Sequence, residues 1–232
     1  MIDIGRAIQH PTEDQNWPSK LGIGALISIV PILNFALVGY AIEHIKNTSD
    51  GMDVPLPTWD NVGDKLMDGL RLIVVTSVLA LPIIALTCIF GVLGGGLAAL
   101  SSNQGEVRDA AVAGFGLIGL VLSCLTFLYG LLLAYLSPSV YIRYTRTREI
   151  GASLRIGELF SISRVNTGDY LLIFVVIIAI AFVIGLIVGV LNFIPCLGQI
   201  LSLVIALLVG PYLVVLFANL CGQYVRSNNI VL

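Results

Sequence analysis

Charge is what this sequence has least of. Five stretches, Leu21–Ile42, Leu72–Leu100, Ala110–Ser137, Tyr170–Ile194 and Ile200–Gln223, contain no Asp, Glu, Lys or Arg, and together they hold 128 of the 232 residues. Charged residues make up 11% of the chain, so even scattering would put roughly 14 of them there. All 26 lie outside. Hydrophobic residues reach 57%, against about 45–50% in soluble chains, and polar groups cannot cover that excess in water. The soluble and disordered classes are excluded, and an integral membrane protein remains.

The stretches also lack strand-like alternation, and they are too long for barrel strands of roughly ten residues. Backbone that must satisfy itself in lipid then has one option, the α-helix. Each stretch exceeds the about 20 helical residues that cross the hydrocarbon layer. The expected fold is all-α: a polytopic transmembrane helical bundle of about five spans, several Pro-kinked or broken, with short interfacial amphipathic helices. The spans fall at about 20–45, 72–100, 110–137, 169–194 and 200–223, and the interfacial segments at 2–10, 58–70 and 151–164, within one membrane domain over 1–232. The start, Met1-Ile-Asp-Ile-Gly-Arg6, lacks the pattern of a cleavable signal, so the first span is expected to stay.

Basic residues set the expected orientation. Arg143, Arg146, Arg148, Arg155 and Arg164 lie between the third and fourth stretches, whereas the neighbouring loops carry only Arg108 or none. The positive-inside rule places the Arg143–Arg164 segment in the cytoplasm, with the loop after the first span and the C-terminus. The expected location is the plasma membrane. The first stretch has two readings, because Pro31-Ile-Leu-Asn34 divides it. Proline removes a donor and clashes with the preceding turn. One kinked span, the preferred reading, puts the N-terminus outside; a re-entrant hairpin keeps both ends inside.

The water-facing segments read as interfacial helices. Asp3 is a candidate cap for a short helix with Ile4, Ala7 and Ile8 on one side and Arg6 and Gln9 on the other. Trp17, Tyr40 and Trp59 read as interface anchors. Pro55-Leu-Pro-Thr-Trp-Asp60 reads as a rigid turn, with Asp60 capping an amphipathic helix into the second span.

The opening Asp3-Ile-Gly-Arg-Ala7, the break Ile29-Val-Pro-Ile-Leu-Asn34, Gly39-Tyr40, Pro55-Leu-Pro-Thr-Trp-Asp60, a Gly63…Gly69 helix, Gly157-Glu158-Leu159 and Gly168-Asp169-Tyr170-Leu171 follow one another along nearly the whole chain. In that order they resemble the domain-of-unknown-function family numbered 4013. The resemblance implies a polytopic prokaryotic membrane protein with no established activity, and supplies no catalytic residues. Ile194-Pro-Cys-Leu-Gly198 echoes Val30-Pro-Ile-Leu-Asn34 as a candidate internal repeat.

Chemical motifs are sparse. Cys88, Cys124, Cys196 and Cys221 form no CxxC pair and have no His beside them, so zinc, iron–sulfur and thioredoxin-like sites fail on spacing. Cys221 is a candidate for acylation, the others small apolar filler. His10 and His44 read as separate interfacial anchors. Asp60, Asp64 and Asp68 share one helical face, read as solvated, with Lys65 and Arg71 relieving repulsion. Gly91…Gly95 and Gly185…Gly189 match the close-packing GxxxG pattern, and Gly94-Gly95-Gly96 marks a flexible or closely packed point. No HExxH, P-loop or catalytic triad motif appears, and nothing suggests a nucleic-acid module. Neither an enzyme nor a cofactor is expected.

The spans hold no charge of the kind ion-coupled transporters place at mid-depth. Asn34 and Asn192 stand out instead, each beside a proline break. The five arginines are candidate contacts for anionic lipids. Two readings follow. The first is a non-enzymatic scaffold or accessory subunit bound to the bilayer, anionic lipids and other membrane proteins. The second is a permease-like carrier of a neutral or lipidic solute, which requires Asn34 and Asn192 in one cavity.

Overall fold

The structure, a computed structural model, describes residues 2–52, 56–100, 105–194 and 196–230. Among the described residues every regular element is an α-helix: α1 (Ile4–Glu13), α2 (Trp17–Ile29), α3 (Phe35–Ser49), α4 (Val62–Leu100), α5 (Gly105–Thr147), α6 (Ile150–Ser153), α7 (Ile156–Val165), α8 (Thr167–Leu191) and α9 (Leu197–Ser227). Val62–Val92, Ile118–Thr147, Thr167–Leu191 and Leu197–Ser227 are long and apolar enough to cross a membrane. In the most apolar window of each, between none and 17% of the residues are buried inside the chain. Side chains such as Val92, Phe127, Phe182, Val190 and Leu208 are 65–75% exposed. Surface of that kind needs lipid around it, as the expected all-α membrane fold requires.

The chain divides into two compact units, one formed by Met1–Val75 with Pro138–Leu232 and one by Thr76–Ser137. In the first, α3 and α9 run in the same direction, with Tyr40 packed near Val215 and Thr48 against Gly222. The start of α4 runs the other way along α3. A Cβ at Gly39 would overlap the Lys65 carbonyl oxygen, and one at Gly69 the Phe35 carbonyl oxygen. At these two positions only glycine lets the two backbones approach.

Four fully buried tyrosines tie this unit together through their hydroxyls. Tyr40 in α3 donates to Pro57 O at 3.1 Å. Tyr144 in α5 donates to Asp68 in α4 at 3.2 Å. Tyr170 in α8 lies 2.7 Å from Ser139 Oγ, and Tyr224 in α9 donates to Ile162 O in α7 at 2.7 Å. Each ring supplies apolar area while its hydroxyl satisfies a group on another segment. The packed core therefore gathers where helix ends meet polar connections, and the apolar lengths of α8 and α9 leave it.

The second unit pairs the apolar continuation of α4 with the first part of α5. Tyr129 Oη donates to Leu79 O at 2.6 Å, and the Phe90 ring comes 3.6 Å from where a Gly119 Cβ would stand.

Several expectations change. Residues 20–45 do not form one kinked span: α2 and α3 are separate helices of 13 and 15 residues, about 20 Å each and short of the hydrocarbon thickness. Val30 N donates to Ile27 O and Asn34 N to Val30 O, so the Pro31 turn closes on itself. Leu21 packs on the cluster containing Val215 and Gly24 against Pro211, so α2 runs against α9 while α3 runs with it. The stretch is a helical hairpin. Its N-terminal side stays at the charged end, where Asp3 N donates to Gln223 Oε1 at 2.8 Å.

The helix expected to lead into the second span begins at Val62 as the first turns of α4, but Asp60 provides no side-chain cap among the described hydrogen bonds. Trp59 is an internal brace: it stacks on Tyr40 at 4.7 Å and donates to Lys20 O at 2.8 Å. Asp3 does cap α1, accepting from Arg6 N at 2.9 Å. A Cβ built at Gly91, Gly185 or Gly189 meets open space among the described residues, so those glycines do not serve close packing there. Pro55 and Pro195 lie outside the described residues, as do the surroundings of Arg108 and Gly94-Gly95-Gly96.

Candidate functional site

The polar residues of the first unit converge where α1 crosses the ends of α3 and α9. Asp3 and Gln223 exchange hydrogen bonds, Asp3 N to Oε1 at 2.8 Å and Nε2 to Asp3 O at 3.2 Å. Gln223 Nε2 also donates to Asn219 Oδ1 at 2.7 Å. Tyr212 Oη donates to Ile8 O at 2.9 Å, so α1 is held along α9 at its start and at its middle. A cavity of about 470 Å³ lies at this junction. Asp3, Arg6 and His10 line it from α1, Thr48 and Met52 from the end of α3, and Asn219, Gln223, Arg226 and Ser227 from α9.

Two buried polar atoms of this lining, His10 Nδ1 and Thr48 Oγ1, have no hydrogen-bond partner among the described residues. His10 is 6% and Thr48 8% exposed, and leaving such groups unsatisfied costs about 1–3 kcal/mol each. Burial lowers the His10 imidazole below its ordinary value, with Glu13 pulling the other way and Arg6 adding to the depression. The ring meets His44 edge-on at 5.5 Å. The two histidines, read separately from the sequence, form one contact that a separation of 34 positions gave no reason to expect. Gly51, at φ +74°, lets the Arg226 guanidinium lie 3.0 Å from where a Cβ would stand.

Beside the cavity a second polar node fixes the α1–α2 corner. Lys20 Nζ donates to Asp14 at 2.7 Å and to Leu56 O at 2.8 Å. Burial alone would raise the Asp14 carboxyl, but the Lys20 hydrogen bond and the Asn16 N–H hold it below its ordinary value.

The five candidate lipid-contact arginines do not act as one cluster. Arg143 and Arg155 both pair with Glu158, Arg155 at 3.2 Å, and Arg148 pairs with Asp68. Arg146 and Arg164 are exposed. Asp68 is thereby withdrawn from the acidic face expected with Asp60 and Asp64, and Lys65, 4% exposed, pairs instead with Glu43 at 2.6 Å. Cys221 is fully buried, whereas Cys88, Cys124 and Cys196 are exposed.

Asn34 precedes α3 in the hairpin turn and is exposed. Asn192 caps the end of α8, donating to Val188 O at 2.9 Å, and is exposed too. Neither lines either of the two described cavities. The second cavity, about 710 Å³ between α4 and α5 in the other unit, is lined by Pro82, Phe90 and Leu122 among other apolar residues. Of its four hydroxyls, Thr126 aside, three are engaged: Thr87 bonds Ile83 O and Ile84 O, Ser123 bonds Leu120 O, and Tyr129 bonds Leu79 O. What remains is an apolar groove.

Sequence reasoning missed the polar cavity because its walls come from three distant parts of the chain. The one available signal was the cluster of Asn219, Gln223 and Arg226 at spacings that share a helical face. No curated protein and no solved structure matches the chain. Residues 23–193 match the family model described as Protein of unknown function (DUF4013); that is well over half of the chain, which belongs to this family.

Proposed function

We propose that the chain is a non-enzymatic membrane scaffold or accessory subunit, seated in the plasma membrane with its arginine-rich end toward the cytoplasm. The observation that carries this reading is the distribution of packing. Tyrosine hydroxyls, ion pairs and buried side chains concentrate at the ends of the helices, while the apolar lengths are left for lipid or neighbouring helices. A carrier of polar solutes needs convergent polar groups at mid-depth. Here Asn34 and Asn192 are bound locally or exposed, and the Thr87, Ser123 and Tyr129 hydroxyls are occupied. The orientation follows from the charged end carrying Arg143 to Arg164.

The alternative, a permease-like carrier of a neutral or lipidic solute, draws on the apolar groove between α4 and α5. Reconstitution into liposomes separates the two. The scaffold reading expects glycerol flux and fluorescent-lipid exchange between leaflets no faster than in protein-free liposomes. Saturable acceleration of either, abolished by filling the groove with Gly119→Phe, overturns it in favour of the carrier.

A further inference from the structure

We propose that the polar cavity between α1, α3 and α9 is a binding site for an anionic phosphate-bearing group. The inference stands apart from the scaffold reading, since it concerns what the chain binds and not what it assembles with. Its first support is charge: among the described residues Arg6 and Arg226 face the cavity against one carboxylate, Asp3, and neither arginine has an ion-pair partner there. The second is the hydrogen-bond inventory. Asp3 Oδ1 already accepts from Arg6 N, Gln223 Oε1 from Asp3 N and Asn219 Oδ1 from Gln223 Nε2. These three acceptors of the lining are thus engaged, while the guanidinium N–H groups and the Thr48 hydroxyl remain to donate. The third is the pair of buried atoms without partners among the described residues, His10 Nδ1 and Thr48 Oγ1, on side chains more than nine-tenths buried.

A cavity with surplus donors, two guanidinium groups and unsatisfied buried polar atoms matches the several acceptor oxygens and negative charge of a phosphate. Its about 470 Å³ falls within the range of small-ligand sites, roughly 300–1,000 Å³. The phosphate arrives either free or as the headgroup of an anionic lipid, because α1 carries the exposed Ile8 beside the cavity, as an interfacial helix does.

The test uses the full-length chain, delipidated in neutral detergent, titrated calorimetrically with inorganic phosphate, with dihexanoyl phosphatidylglycerol, and with net-neutral dihexanoyl phosphatidylcholine as control. Saturable binding of inorganic phosphate identifies free phosphate as the source, and saturable binding of phosphatidylglycerol alone identifies the headgroup. Arg6→Gln and Arg226→Gln, both at exposed positions, are each expected to weaken binding roughly tenfold, and Thr48→Val, which keeps the side-chain shape, to weaken it less. Arg71→Gln, outside the cavity and 49% exposed in its side chain, is expected to leave affinity within about twofold. The proposal is overturned if neither anionic probe binds saturably, if phosphatidylcholine binds as tightly, or if Arg71→Gln weakens binding as much as Arg6→Gln and Arg226→Gln. Monodisperse elution and unchanged melting of the variants exclude misfolding as the cause.

Discussion

The Tyr224 hydroxyl, near the end of α9, donates to Ile162 O in α7 at 2.7 Å and accepts from Asn166 N at 3.3 Å, while its ring meets Tyr170 edge-on at 5.6 Å. One side chain thus fastens α7, the entry to α8 and the end of α9. Tyr224→Phe keeps the ring and leaves the Ile162 carbonyl unsatisfied, so a loss of about 1–2 kcal/mol is expected. Reversible unfolding in detergent measures it, and faster amide exchange confined to 156–166 localises it.

The glycines divide into two classes by what stands opposite them. Gly39→Ala and Gly69→Ala press a methyl into backbone carbonyls of the partner helix, which only a shift of α3 against α4 relieves, at about 3 kcal/mol or more. Gly185→Ala and Gly189→Ala meet open space and are expected to be neutral or to stabilise by about 0.5–1 kcal/mol through helix propensity. Comparing the four melting temperatures decides the matter.

Two groups impose opposite-looking charges but the same direction of pH dependence, in separate windows. His10 titrates below its ordinary value because burial disfavours the imidazolium, with Glu13, Arg6 and Asp14 acting on it electrostatically. The unfolded chain therefore takes up a proton first, and the His10 contribution is whole above about pH 6.5 and declines below it. Asp14 is likewise depressed, so its contribution, present above about pH 4, fades as the pH falls through its folded value. Unfolding free energy is expected to drop between pH 8 and 5.5 in the natural chain and to drop less in His10→Gln, whereas Asp14→Asn is expected to lower it at every pH above about 4 and to lose its effect as the pH falls further.

Lys65 is buried and its partner Glu43 is half-exposed, 5% against 40% of side-chain surface. Glu43→Gln strands an ammonium and is expected to cost about 1–3 kcal/mol, with Lys65→Met costing less and the double variant recovering most of the loss. A double-mutant cycle in unfolding free energy checks the order.

Cys221 is fully enclosed, so it is expected to resist maleimide until the chain is denatured, while Cys88, Cys124 and Cys196 react once detergent replaces lipid. Mass spectrometry of the labelled protein distinguishes the four thiols.

Helix content and the location of the long apolar elements were readable because hydrocarbon imposes one condition on every residue in a span, and the absence of charge from residues 72–100, 170–194 and 200–223 states it directly. The cap Asp3 was local as well. What depends on a distant partner was not readable. Gly39 matters because of Lys65, Trp59 turns inward because Tyr40 and the Lys20 carbonyl receive it, and His10 finds His44 through the α1–α2 corner. Sequence offers no periodicity for such pairings. The hairpin at Pro31 lay between these cases: the break was local, but α2 folds back because α9 offers Pro211 and Val215 to its small and apolar face.

Because the tyrosine ties fasten only the polar extremities of α8 and α9, the length of the surrounding acyl chains has little hold on the packed interior. In a thinner bilayer those two helices can meet hydrophobic mismatch by tilting, at a modest cost per ångström. The junction that carries the arginines and the polar cavity is then carried along intact, so its chemistry is insulated from membrane thickness.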